Sequence, residues 1–161
     1  MWKHSSGTLW KKVNMIGFPK PPKLNRPQPF FFNNGSYPNV QRGEYENSKG
    51  TMYFRSKWEA NYALVLDFMV KQGEIKSWEY EKKTFVFDKV EFGTRRYLPD
   101  FEITRNDGTI YYVEIKGYMD GRSKTKLRRM KKYYPEVELV LVEKDEYNAY
   151  KKQLGKLLHW Y

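Results

Sequence analysis

The chain has 161 residues, with 30 Lys and Arg against 19 Asp and Glu, a net charge of +11 and no cysteine. Disulfides and thiolate metal sites are therefore excluded, and 40% apolar with 18% aromatic residues excludes a wholly disordered protein. No apolar run approaches the roughly 20 residues that span a bilayer, and residues 1–7 lack the apolar stretch of a secretion signal, so a soluble cytoplasmic protein is expected, and the net positive charge favours nucleic acid as its partner over a membrane surface.

Residues 1–50 differ in composition from the rest. Six of the eight prolines fall there, as do eight Lys or Arg residues against only Glu44 and Glu46. The run Phe18-Pro19-Lys20-Pro21-Pro22-Lys23-Leu24-Asn25-Arg26-Pro27 cannot be helical, because each proline removes a donor and restricts the residue before it. The stretch reads as an extended basic arm. Its aromatics (Trp2, Trp10, Phe30, Phe31, Phe32, Tyr37) suit packing on the protein's own core or a second subunit, or stacking on nucleotide bases.

Residues 51–161 read as one folded domain. Residues 56 to about 72 predict a helix, ended by Gly73. On its wheel Lys57, Asn61, Asp67 and Lys71 gather on one side. Trp58, Tyr62, Ala63, Val65, Leu66, Met69 and Val70 gather on the other. Residues 84–87 form a short β-rich run. Residues 95–104 and 109–116 predict two strands joined through Arg105-Asn106-Asp107-Gly108, a hairpin signal. About 123–134 is a basic helix stopped near Pro135, 137–142 an apolar strand covered on both faces, and 145–158 a closing helix. The predicted fold is α/β, a mixed sheet flanked by helices.

Four residues in this pattern carry chemistry. Strand alternation sets Glu114 and Lys116 on one face, with Tyr111, Val113 and Ile115 on the other. The hairpin brings Asp100 beside Glu114. Two converging carboxylates can hold Mg²⁺, and the lysine can orient or help deprotonate a bound water. An ordinary cross-strand ion pair on a solvated face fits the same residues. Glu59 falls within the apolar side of the first helix, where an unpaired carboxylate is costly. Either a nearby cationic site partners it, or Ser56-x-x-Glu59 is a capping box. Beyond Gly117, the residues Arg122, Lys124, Lys126, Arg128, Arg129, Lys131 and Lys132 are opposed only by Asp120. A one-signed helix of this kind suits phosphate contacts as well as a solvated face. Walker loops, nucleophile elbows and zinc spacings are absent.

Taken in order, Phe54-Arg55-Ser56-x-x-Glu59, Tyr97-Leu98-Pro99-Asp100-Phe101 and Val113-Glu114-Ile115-Lys116-Gly117 resemble the PD-(D/E)XK nuclease superfamily. They look closest to small phage nucleases of the endonuclease I type, which resolve branched DNA such as Holliday junctions. The resemblance covers about residues 52–142. It implies a restriction-endonuclease-like core and Mg²⁺-dependent hydrolysis of DNA, with Mn²⁺ able to substitute, leaving 5′-phosphate and 3′-hydroxyl ends. Asp100 and Glu114 would be metal ligands together with the Ile115 carbonyl, Glu59 would help hold metal or water, and Lys116 would act on the attacking water. Glu79 is a looser match to a further acidic residue. Arg55 joins Arg122, Lys124, Lys126, Arg128 and Arg129 as DNA-binding candidates. The resemblance further implies a homodimer in the cytoplasm of a bacterial host. A sequence-specific endonuclease of restriction or homing type and a non-catalytic DNA-binding protein with this fold are the alternatives.

Overall fold

The computed structural model describes residues 41–161. The basic arm expected over residues 1–50 therefore lies outside the described residues as far as residue 40. Its last residues belong to a hairpin instead. Strand β1 (Gly43–Asn47) pairs antiparallel with β2 (Gly50–Phe54), with Asn47 opposite Gly50 across a two-residue loop. Gly50 takes a φ of 98°, which only glycine adopts freely. Alternation turns Tyr45 and Phe54 into the core, so the hairpin is anchored on its apolar side.

Helix α1 (Lys57–Lys71) begins at Ser56, whose side chain accepts from the Glu59 N–H, and gives way to Gly73 at φ 70°. It buries Ala60, Tyr62, Ala63, Val65, Leu66 and Met69. Two wheel positions differ from expectation. Val70 is exposed, and Asn61 is buried. Asn61 can be interior because its amide is satisfied: Nδ2 donates to the Tyr147 hydroxyl at 2.9 Å and Oδ1 accepts from Tyr161 N at 2.7 Å.

The main sheet has four strands in the order β3 (Ser77–Tyr80), β6 (Phe101–Thr104), β7 (Ile110–Ile115), β8 (Leu139–Val142). The first two neighbouring pairs are antiparallel and β7–β8 is parallel, so the sheet is mixed, as expected. The parallel pair is joined through helix α2 (Gly121–Tyr133), and helix α3 (Lys144–Leu154) follows β8. The expected hairpin turn is present, with Gly108 N bonded to Arg105 O and Gly108 at φ 85°.

The single strand expected over residues 95–104 is two. Strand β5 (Arg96–Tyr97) pairs with β4 (Phe85–Val86) in a separate ribbon, and β6 joins the main sheet. Pro99 lies at the break; it has no N–H to give a ladder, so the chain changes partner there. Apolar residues cover both faces of the main sheet. Phe101, Ile103, Val113, Ile115 and Val142 pack with α1, α3 and the β1–β2 hairpin. A smaller cluster of Phe85, Phe87, Tyr97, Met130 and Leu139, backed by Tyr112 and Leu127, lies apart from them. Among the described residues no helix is long and apolar enough to cross a membrane.

Candidate functional site

At one end of the sheet β3 finishes, β6 begins and β7 finishes. Phe101 is paired with Val113, so Asp100 and Glu114 are the next residues out, on the face opposite these two core side chains. Both are 3% exposed, and Glu59 in the first turn of α1 is 7% exposed. Asp100 Oδ2 accepts from the Ile115 N–H at 2.7 Å, which fixes the carboxylate against β7. Its Oδ1 meets Arg55 Nη2 at 3.4 Å. Glu114 Oε1 pairs with Lys116 Nζ at 2.7 Å, and Oε2 accepts from the Tyr97 hydroxyl at 2.9 Å. The face that carries Glu114 and Lys116 is therefore not an open solvated surface.

Glu59 is tied into the start of its own helix, as the capping reading expects. Ser56 Oγ accepts from the Glu59 N–H, and the Glu59 carboxylate accepts from Ser56 Oγ at 2.7 Å and from Arg55 N at 3.1 Å. The second bond lies one residue ahead of the usual capping-box partner. Its Oε2 also accepts from the Tyr80 hydroxyl. The same carboxylate lies near enough to Asp100 to act on its titration.

These groups hold more negative charge than their neighbours offset. Burial pushes the Asp100 carboxyl well above the usual carboxylate range, Glu114 and Glu59 push it further, and the Ile115 N–H and Lys116 only partly oppose them. Burial works against the Lys116 ammonium, but Glu114, Asp100 and Glu59 together hold it above an ordinary lysine. Lys116 is thus a proton-bearing group at neutral pH in this arrangement. Burial likewise raises the Tyr97 phenol, helped by Glu114, so its hydroxyl stays a donor.

Glu81, Tyr80 and Tyr97, to which the sequence pattern assigns no role, all border the cluster. Glu81 pairs with Arg55, and its N–H donates to the Asp100 carbonyl at 2.9 Å. Burial raises its carboxyl, Arg55 opposes this, and Glu59 and Glu114 add to it. Its φ of 47° is left-handed, a conformation that side chains rarely adopt. Glu79, the looser candidate, instead makes its ion pair with Lys49 at 2.9 Å and stands opposite Glu102 in the β3–β6 register.

The basic candidates divide. Arg122, Lys124 and Arg128 are exposed on α2. Lys126 is half-buried, with its Nζ 5.9 Å from the centre of the Tyr97 ring. Arg129 is engaged within the chain, donating to the Thr94 and Phe92 carbonyls. Arg55 is occupied by Glu81 and Asp100.

Among the described residues no three His, Asp or Glu side chains converge as a ready metal cage. The donor set of Asp100 and Glu114 nevertheless suits a hard divalent cation: two carboxylates with a local surplus of negative charge. Comparison with protein-family models, curated proteins and solved structures finds no match.

Proposed function

We propose that this protein is a Mg²⁺-dependent endonuclease acting on DNA, with branched DNA as its preferred target. The observation that carries the reading is the side-by-side burial of Asp100 and Glu114 at one strand end, with Lys116 ion-paired to Glu114. Structural ion pairs need no third buried carboxylate beside them, yet Glu59 adds one and raises Asp100 further.

Asp100 and Glu114, with the carbonyl of Ile115, the next residue along β7, would hold the cation. When bound it would neutralise phosphate charge and make a water acidic enough to attack. The chain's own residues do the rest. The Ile115 N–H and the Tyr97 hydroxyl fix the two carboxylates, so they meet a ligand without reorganising. Lys116 keeps a proton at Nζ and places positive charge beside the phosphate under attack. Exposed Arg122, Lys124 and Arg128 hold neighbouring phosphates. Water oxygen bonds to phosphorus, the P–O3′ bond breaks, and the proton passes to the 3′ oxygen. The products are a 5′-phosphate and a 3′-hydroxyl.

The test is cleavage of labelled linear duplex, single strand and four-way junction in Mg²⁺ or EDTA, alongside Lys116→Ala and Asp100→Ala. Cutting should require the metal, and each variant should lose at least about 100-fold in rate. Paired symmetric cuts confined to the junction are expected. Discrete cuts within long duplex would replace that preference with sequence specificity. Binding without cutting in Mg²⁺ or Mn²⁺ would leave only a DNA-binding protein.

A further inference from the structure

Tyr118 and Phe92 are the most exposed large apolar side chains among the described residues, each 83% exposed. Neither ring sits on a slack segment. Tyr118 follows Gly117, which lies against the Trp58 ring, and precedes Asp120, whose Oδ1 caps α2 by accepting from Ser123 N at 2.6 Å. Phe92 precedes Gly93 at φ 81°, and the Arg129 guanidinium donates to the carbonyls on both sides of that glycine. Arg129 thereby ties this turn to the third turn of α2, roughly 12 Å along the helix from Gly121. Tyr118 thus lies just before the first turn of α2, and Phe92 is tied to its third turn.

Helix α2 itself exposes Arg122, Lys124, Arg128, Lys131 and Lys132, and among the described residues none of the five is ion-paired to a carboxylate. Tyr118 is also only two residues from Lys116. A charged track with aromatic rings at intervals is the chemistry that holds nucleic acid in single strands: cations follow the phosphates and rings stack on bases freed from pairing. A lipid surface would call for a continuous apolar face on the helix. That face is already used, with Met130 buried and Leu127 and Tyr133 packed in the smaller cluster.

We propose that Tyr118 and Phe92 are stacking platforms for unpaired nucleobases, so that the protein prefers DNA in which unpaired bases adjoin duplex. The proposal rests on the hydrolytic reading for its position beside the carboxylates, but binding tests it without catalysis. In EDTA, a continuous duplex is compared with the same duplex carrying a short bulge that includes 2-aminopurine. Wild type should bind the bulged DNA roughly ten-fold more tightly and quench the 2-aminopurine by stacking. Tyr118→Ala and Phe92→Ala should each reduce the preference and the quenching while leaving affinity for continuous duplex within about two-fold. Tyr118→Trp should retain both. Equal affinity of wild type for the two DNAs overturns the proposal, as does an equal loss on both DNAs in the alanine variants. Binding to phosphatidylserine vesicles that depends on Tyr118, without any preference for the bulge, overturns it in favour of a membrane surface. Wild type that shows the preference in EDTA yet cuts no DNA in Mg²⁺ supports the stacking surface and removes the hydrolytic reading alone.

Discussion

Asp100 opposes folding when ionised without a metal ion beside it, because Arg55 and Lys116 only partly offset its burial and the neighbouring carboxylates. It is buried, Glu114 and Glu59 are close, and its carboxyl titrates well above the usual 3.8. A folded-state pKa raised in this way contributes stability that is complete below the unfolded value and is lost as pH rises through the folded one. Asp100→Asn keeps an acceptor for Ile115 N and removes the charge. In EDTA at neutral pH it should therefore be more stable than wild type by roughly 1–2 kcal/mol, with the gap shrinking toward pH 4. Mg²⁺ should raise the wild-type melting temperature and leave the variant's unchanged. Thermal melts across pH with and without Mg²⁺ check this; a wild type more stable than Asp100→Asn throughout would remove the charge argument. At this scale the sequence was informative where alternation decides: Glu114 and Lys116 share a face because the strand has period two. It was silent on Glu81, whose contact with Arg55 follows a left-handed φ. It was equally silent on Asn61, because a wheel sorts polarity and does not show partners 86 and 100 residues away.

Those partners make Asn61 a joint between elements. It lies on α1, and its amide reaches Tyr147 on α3 and Tyr161 beyond it. Asn61→Ala should cost about 1–3 kcal/mol by leaving the Tyr161 N–H without its acceptor. Urea denaturation measures the loss, and cleavage below the unfolding transition should stay near wild type because the carboxylates keep their own partners. A loss below about 0.5 kcal/mol would mean that water replaces the amide. Helices α1 and α2 and the 105–108 turn were legible, since capping residues, glycine stops and 3.6-residue spacing are local signals. The β1–β2 hairpin was not. Glu44, Glu46 and Lys49 make it read as a continuation of the polar arm, and only Tyr45 and Phe54 are drawn fully into the core. Strand β3 is four residues long, too short for alternation to declare itself. The break at Pro99 could have been anticipated from the missing donor, but not which strand each half would join.

Over the whole molecule charge is unevenly shared. Residues 1–40 hold six Lys or Arg and no acid, so they carry six of the eleven net positive charges. In the described part α2 exposes Arg122, Lys124, Arg128, Lys131 and Lys132 and carries no acidic residue. Every phosphate that a variant no longer neutralises should lower the slope of log affinity against log salt by about 0.9 on duplex DNA. Lys131→Ala combined with Lys132→Ala should therefore flatten that slope by about two, with similar weakening on unrelated sequences. Titrations in EDTA at several salt concentrations check it, and an unchanged slope would take the end of α2 off the DNA.

The four-residue step from Tyr97 to Phe101 joins the two apolar clusters, since Tyr97 belongs to the smaller and Phe101 to the larger. Asp100 is held within that step as a stitch is held between two layers of cloth. Either layer can be repacked with other apolar residues and the stitch stays where it is. The length of the step is different: with period-two alternation, one inserted residue between Asp100 and Phe101 would leave Asp100 facing the wrong side of the sheet or drag Phe101 from its core. The apolar side chains packed in either cluster can thus be exchanged, Tyr97 excepted because its hydroxyl holds Glu114, but the count of residues that crosses Pro99 cannot change.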